Sequence, residues 1–150
     1  MWIEMQSQVL RRMDLLAERL NRTPAATEHL QTGHRGEREA LFHLRKLGYT
    51  VVATRWKTAK QWGDLDLIGW HGEQLCFVEI KTRSRRDTSP AEAAVDHDKQ
   101  DMIRKMAKAY LRRFPEKLRP DIPVRFDVLS VYLLPSGAEF DLYQGAFGWR

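Results

Sequence analysis

Two apolar stretches joined by a very short turn constrain this chain more than any other feature. Leu65 to Trp70 and Leu75 to Lys81 each have the length and side chains of a strand. Trp70-His71-Gly72-Glu73 between them leaves room only for a tight reversal, so the two form an antiparallel hairpin. Side chains on a strand alternate between faces. Cys76, Val78 and Ile80 therefore share one face of the second stretch, and Phe77, Glu79 and Lys81 share the other. On the first stretch, Asp64, Asp66 and Ile68 lie opposite Leu65 and Leu67. A turn this short brings Asp66 close to Glu79.

Two neighbouring carboxylates among apolar side chains repel each other and resist desolvation. A hard divalent cation removes the conflict, and Mg²⁺ uses one or two carboxylates together with waters and a phosphate. Lys81 would then hold or activate a water and offset charge developing on that phosphate. The competing reading is a structural ion pair, Glu79 or Asp66 with Lys81, on a half-exposed sheet.

The rest of the chain supplies helices to cover such a sheet. Residues 2–20 read as a helix, with Val9, Met13, Leu16 and Leu20 on one stripe, stopped by Asn21-Arg22-Thr23-Pro24. Residues 21–32 look like a linker, which divides the chain into an N-terminal appendage (1–31) and a main domain (32–150). Gly33 to Leu47 reads as a second helix with Ala40, Leu41, Leu44 and Leu47 inward and Gly48 as its cap. Tyr49 to Thr54 is a strand. Asp96 to Phe114 is a long helix burying Met102, Ile103, Met106, Tyr110 and Leu111, with Asp96 as cap. Val124 to Tyr132 is a further strand, and Ala138 to Tyr143 a short last one. The order αβββαβ defines an α/β fold, a mixed central sheet flanked by helices.

Helix spacing singles out two more candidates. Glu37 shares a face with Ala40, Leu41 and Leu44, so it is directed at the sheet, whereas Glu39 lies on the solvated side. Lys99 lines up with Met102, Ile103 and Met106 and can reach the site or a phosphate, or simply snorkel. Arg83, Arg85 and Arg86 follow the hairpin directly and can hold a nucleic-acid backbone, or form a solvated loop. Trp56 and Trp62 read as cover for a core edge. Cys76 is expected to be a buried, inert residue, and Arg125 and Asp127, on one strand face, to pair structurally. The five histidines show no ligand spacing.

Charge agrees with a polyanionic partner. Residues 81–119 carry twelve basic and six acidic side chains, while residues 1–30 balance and residues 120–150 sum to −2. A solvated helix and loop is the plainer explanation of the same run. No stretch approaches the roughly 20 apolar residues of a membrane span, the N-terminus lacks a secretory pattern, and Cys76 stands alone. A cytoplasmic protein is the expectation.

In order along the chain, Gly33 to Gly48 with Glu37, Gly63-Asp64-Leu65-Asp66-Leu67-Ile68, Phe77-Val78-Glu79-Ile80-Lys81-Thr82-Arg83, Lys99-Gln100 and Arg125-Phe126-Asp127-Val128 resemble the YraN-like proteins, relatives of Holliday-junction resolvases within the PD-(D/E)XK nuclease superfamily. The resemblance covers about residues 32–132. It implies a restriction-endonuclease-like core and a metal-dependent nuclease acting on structured or branched DNA. Asp66 and Glu79 would hold Mg²⁺ or Mn²⁺, Lys81 would be catalytic, and Glu37 would complete the metal site. Lys99, Arg83, Arg85 and Arg86 would meet nucleic acid, with Asp64 and Gln100 supporting the site from behind. Asp64 stands where the family usually has Glu, so its reach is shorter. The resemblance also makes a homodimer an expectation. A non-catalytic nucleic-acid-binding protein of the same fold is the alternative.

Overall fold

The computed structural model describes residues 28–60, 62–86 and 95–150, with side chains from residue 32 onward. The expected helix at residues 2–20 lies outside the described residues. Elements follow in the order α1 (Glu28–Lys46), β1 (Tyr49–Lys57), β2 (Asp64–His71), β3 (Gln74–Arg83), α2 (His97–Leu111), a 3₁₀ turn (Arg119–Asp121), β4 (Val124–Leu134) and β5 (Gly137–Phe147). The five strands form a single sheet in the order β1-β2-β3-β4-β5. All neighbours are antiparallel except β3 and β4, which run parallel. A parallel pair needs a crossover, and α2 provides it.

β3 is central and buried from Leu75 to Ile80, so its side chains feed both faces of the sheet. Cys76, Val78 and Ile80 pack with Leu67, Leu129 and Val131 beneath Ala40 and Leu44 of α1. Leu75 and Phe77 pack with Ile68, Phe126 and Val128 against Ile103, Met106, Ala107 and Tyr110 of α2. The mixed α/β architecture expected from the element order is therefore present, with one helix on each face. Asp96 caps α2 as its carboxylate accepts the Lys99 N–H at 2.8 Å, filling a donor the helix cannot satisfy itself.

Three details differ from the sequence reading. α1 begins at Glu28, inside the segment expected to be linker. Leu47 is 45% exposed, because α1 ends at Lys46 and the left-handed Gly48 (φ 95°) turns the chain before Leu47 can reach the sheet. β5 runs to Phe147, whose ring stacks on Phe126 at 5.0 Å and closes the α2-side core.

Candidate active site

The β2–β3 ladder opens at the end away from its turn. Regular pairing stops at Leu67 opposite Val78, and one more step in register would set Asp66 opposite Glu79. There the Asp66 side chain replaces the backbone ladder: its Oδ2 accepts the Ile80 N–H at 2.8 Å. Burial, reinforced by the charge of Glu79 and a hydrogen bond with it, pushes the Asp66 carboxyl up to about 8. Asp66 thus holds its proton near neutral pH in the metal-free protein.

Glu79 is only 4% exposed, yet it is not left uncompensated. Lys99 Nζ lies 3.3 Å and Lys81 Nζ 3.7 Å from the same Oε1. Lys99 sits in the first turn of α2, where the helix dipole disfavours a cation. Its ion pair with a buried carboxylate accounts for that placement. Gln100 braces the same turn, donating to Val95 O at 3.1 Å and accepting from Arg104 at 3.0 Å.

Glu37 has a different partner. Arg55 Nε and Nη2 both approach its Oε2 at 2.5 Å, and Arg55 Nη2 also donates to His34 Nδ1. α1 packs on the sheet face opposite α2, so the helical spacing that directs Glu37 at the sheet does not direct it at Lys99. Its neighbour Gly36 lies so close to β3 that a Cβ would meet Thr82 Oγ1 at 1.9 Å. Asp64 opens β2 opposite Lys57 of β1. Among the described residues, no group of three or more His, Cys, Asp and Glu side chains converges as a ready metal cage. The Asp66–Glu79 pair fits a hard cation that brings its own waters, since both donors are carboxyl oxygens and the proton on Asp66 is replaceable.

The basic segment after β3 divides. Arg86 is bound to Glu139 at 2.7 Å and Asp141 at 2.8 Å, with its guanidinium 4.5 Å above the Tyr132 ring, which fixes it against β4 and β5. Arg85 is exposed, and Arg83 follows Lys81 on the same strand face. Trp56 packs edge-on against Tyr110 at 5.3 Å, as expected of a core margin. Trp62 is exposed under Lys60, at 5.4 Å. Cys76 is buried, which pushes its thiol up to about 11 and leaves it inert.

Two features carried no signal in the sequence, and a third was foreseen only in part. Ser130 of β4 pairs in register with Lys81 and is fully buried with no partner for its hydroxyl among the described residues. Arg55 is the one described non-glycine residue with a left-handed backbone (φ 47°), which costs an L residue about 1–2 kcal/mol. The expected Arg125–Asp127 pair is the centre of a larger buried network. Arg125 holds both Asp127 oxygens, at 2.8 and 2.9 Å, and reaches Gln74 at 2.8 Å. Tyr49 donates to Asp127 at 2.8 Å and accepts from Arg125 and Gln144. That network lies at the turn end of the hairpin and ties β1, β3, β4 and β5 together.

A mixed α/β protein with a five-stranded sheet, and with an acid pair and two lysines where two strands part, is the class these observations define. The sequence matches the Uncharacterised protein family UPF0102 over residues 36–131, and the chain belongs to that family. It is 47% identical over 124 residues to a UPF0102 protein of Koribacter versatilis, covering 83% of this chain and 84% of that one. A UPF0102 protein of Solibacter usitatus is 40% identical over 131 residues, covering 87% and 94%. One from Porphyromonas gingivalis is 37% identical over 111 residues, covering 74% and 78%. No helix among the described residues is long and apolar enough to cross a membrane.

Proposed function

We propose that this protein is a divalent-metal-dependent nuclease of the PD-(D/E)XK type, cleaving phosphodiester bonds in structured or branched DNA. The observation behind this reading is the Asp66–Glu79 pair at the open end of the hairpin, with Lys81 and Lys99 on one Glu79 oxygen. The αβββαβ order and the parallel β3–β4 pair are what a restriction-endonuclease-like core requires.

A bound Mg²⁺ or Mn²⁺ would be held by Asp66 and Glu79 and would supply charge neutralisation at the phosphate and a water of lowered pKa. The chain's own residues do the rest. The Ile80 N–H fixes one Asp66 oxygen, so the other is left for the shared position. Lys99 holds Glu79 from the helix side. Lys81, half-exposed, faces the open edge, where its ammonium offsets charge building on the phosphate as the water oxygen bonds to phosphorus and the ester P–O bond breaks. The water's proton passes to solvent, and the leaving oxygen takes one back. Arg83 and Arg85 would position the backbone without reading sequence. Glu37, bound to Arg55, would reach a metal only by leaving that partner.

A non-catalytic nucleic-acid-binding protein is the second reading, favoured by the engagement of Glu37 elsewhere. A homodimer and a cytoplasmic location belong to the proposal through the resemblance to resolvases and the lone cysteine. The test is cleavage of four-way junction, flap, single-stranded and plain duplex DNA with Mg²⁺ or Mn²⁺, comparing wild type with Lys81→Ala. Cleavage lost in the variant with binding kept supports the nuclease. Binding by both without cleavage by either supports the second reading.

A further inference from the structure

In a regular sheet Arg55 would share a row and a face with Asp66. The pairings Thr54 with Leu67 and Trp56 with Leu65 set Arg55 across from Asp66. Alternation breaks in both strands at this row. Ala53 and Trp56, three residues apart, both join the α2-side core, and so do Leu65 and Ile68. The left-handed backbone at Arg55 is the break in β1, and the guanidinium goes to Glu37 and His34 of α1. Both side chains of the ion pair remain substantially exposed, Arg55 at 41% and Glu37 at 31%. The pair lies next to Gly36, which packs close to Thr82 on the α1 side of β3.

An exposed pair of this kind adds little to stability, whereas a left-handed arginine costs some. Folding alone therefore does not account for the arrangement. A guanidinium fork presents parallel donors suited to carboxylate and to phosphate alike. We propose that Arg55, on the strand next to Asp66, is a phosphate-binding residue, and that Glu37 occupies its fork until a nucleic-acid phosphate replaces it. This rests on the nucleic-acid reading above and names a residue and an exchange for it. Glu37 acts as an internal competitor that the phosphate displaces.

The exchange makes a prediction opposite in sign to a merely structural ion pair. Binding of a fluorescent four-way junction is measured by anisotropy with a chelator present, so that cleavage and metal binding play no part. The full chain is compared with Arg55→Ala, Glu37→Gln, the double variant, and Glu73→Gln, which removes one exposed acid at the turn end of the hairpin. Arg55→Ala should weaken binding about three- to tenfold and lower the slope of log K against log salt by about one. Glu37→Gln should tighten binding by a similar factor, beyond the effect of Glu73→Gln, and the gain should vanish in the double variant. Arg55→Gly, which accepts the left-handed backbone, should bind as weakly as Arg55→Ala while melting no lower than wild type. The proposal is overturned if Glu37→Gln binds no tighter than Glu73→Gln, or if its gain survives without Arg55. It is also overturned if wild type binds no nucleic acid, which alone among these outcomes removes the nucleic-acid reading too.

Discussion

The Asp66 carboxylate accepts the Ile80 backbone N–H at 2.8 Å, a side chain standing in for a strand at the point where β2 and β3 part. That bond holds Asp66 beside Glu79 and by itself favours the carboxylate, but burial, reinforced by the charge of Glu79, outweighs it and raises the proton affinity of the acid. The buried placement that shapes the site therefore imposes a cost on the metal-free fold.

The cost has a definite pH dependence. Asp66 is raised from 3.8 to about 8, so between those values the folded chain holds a proton that the unfolded chain has released. Its contribution is most favourable below pH 4 and is lost as pH rises through about 8. Asp66→Asn keeps an oxygen for Ile80 and removes the titration. Thermal melts with a chelator should show the variant near wild type at pH 4–5 and more stable, by roughly 2–4 kcal/mol, at pH 8.

Ser130 should behave as a liability to folding. Its buried hydroxyl has no partner among the described residues, and desolvating such a group costs about 1–3 kcal/mol. Ser130→Ala should raise the urea midpoint by an amount equivalent to about 1 kcal/mol with an unchanged slope.

Asp127 is expected to be the most sensitive charged position outside the site. Removing it strands Arg125, and breaking a buried pair in this way costs about 3–5 kcal/mol. Asp127→Ala should fall in that range in denaturant titrations. Asp127→Asn, whose single amide oxygen can still accept from either Tyr49 or Gly145, should lose less.

Gly36 reverses a familiar rule. Glycine to alanine inside a helix usually stabilises by about 1 kcal/mol. Here the new methyl would meet Thr82 Oγ1 at 1.9 Å and its Cβ at 2.7 Å, so Gly36→Ala should destabilise. Adding Thr82→Gly should recover part of the loss, measured as a double-mutant cycle.

How far the sequence could be read follows from which periodicities are local. The hairpin and the Asp66–Glu79 proximity follow from a short turn and its register, and the two helices from helical spacing; these were legible. The face of each β2 side chain was not, because strict alternation sets Leu65 with Leu67, whereas Leu65 joins Ile68 in the α2-side core and Leu67 packs on the other face. Cys76, Trp56 and the Arg125–Asp127 pair were legible, since each follows from its own strand. Leu47 misled because its helix ends one residue before it. Glu37 lies on the sheetward stripe of α1, but the stripe does not say which sheet face it meets or that Arg55 awaits it there. Arg55 itself gave no warning, because left-handed geometry is ordinarily signalled by glycine or asparagine. Ser130 and Tyr49 acquire their surroundings only from strands far away in sequence.

Manganese binding by electron paramagnetic resonance, with Mn²⁺ alone and no nucleic acid, tests the acid pair most directly. Wild type should take up about one ion per chain, with an affinity that rises with pH towards about 8 as the proton on Asp66 becomes easier to displace. Glu79→Gln and Asp66→Asn should each weaken binding at least tenfold. Equal binding by all three proteins would contradict the account.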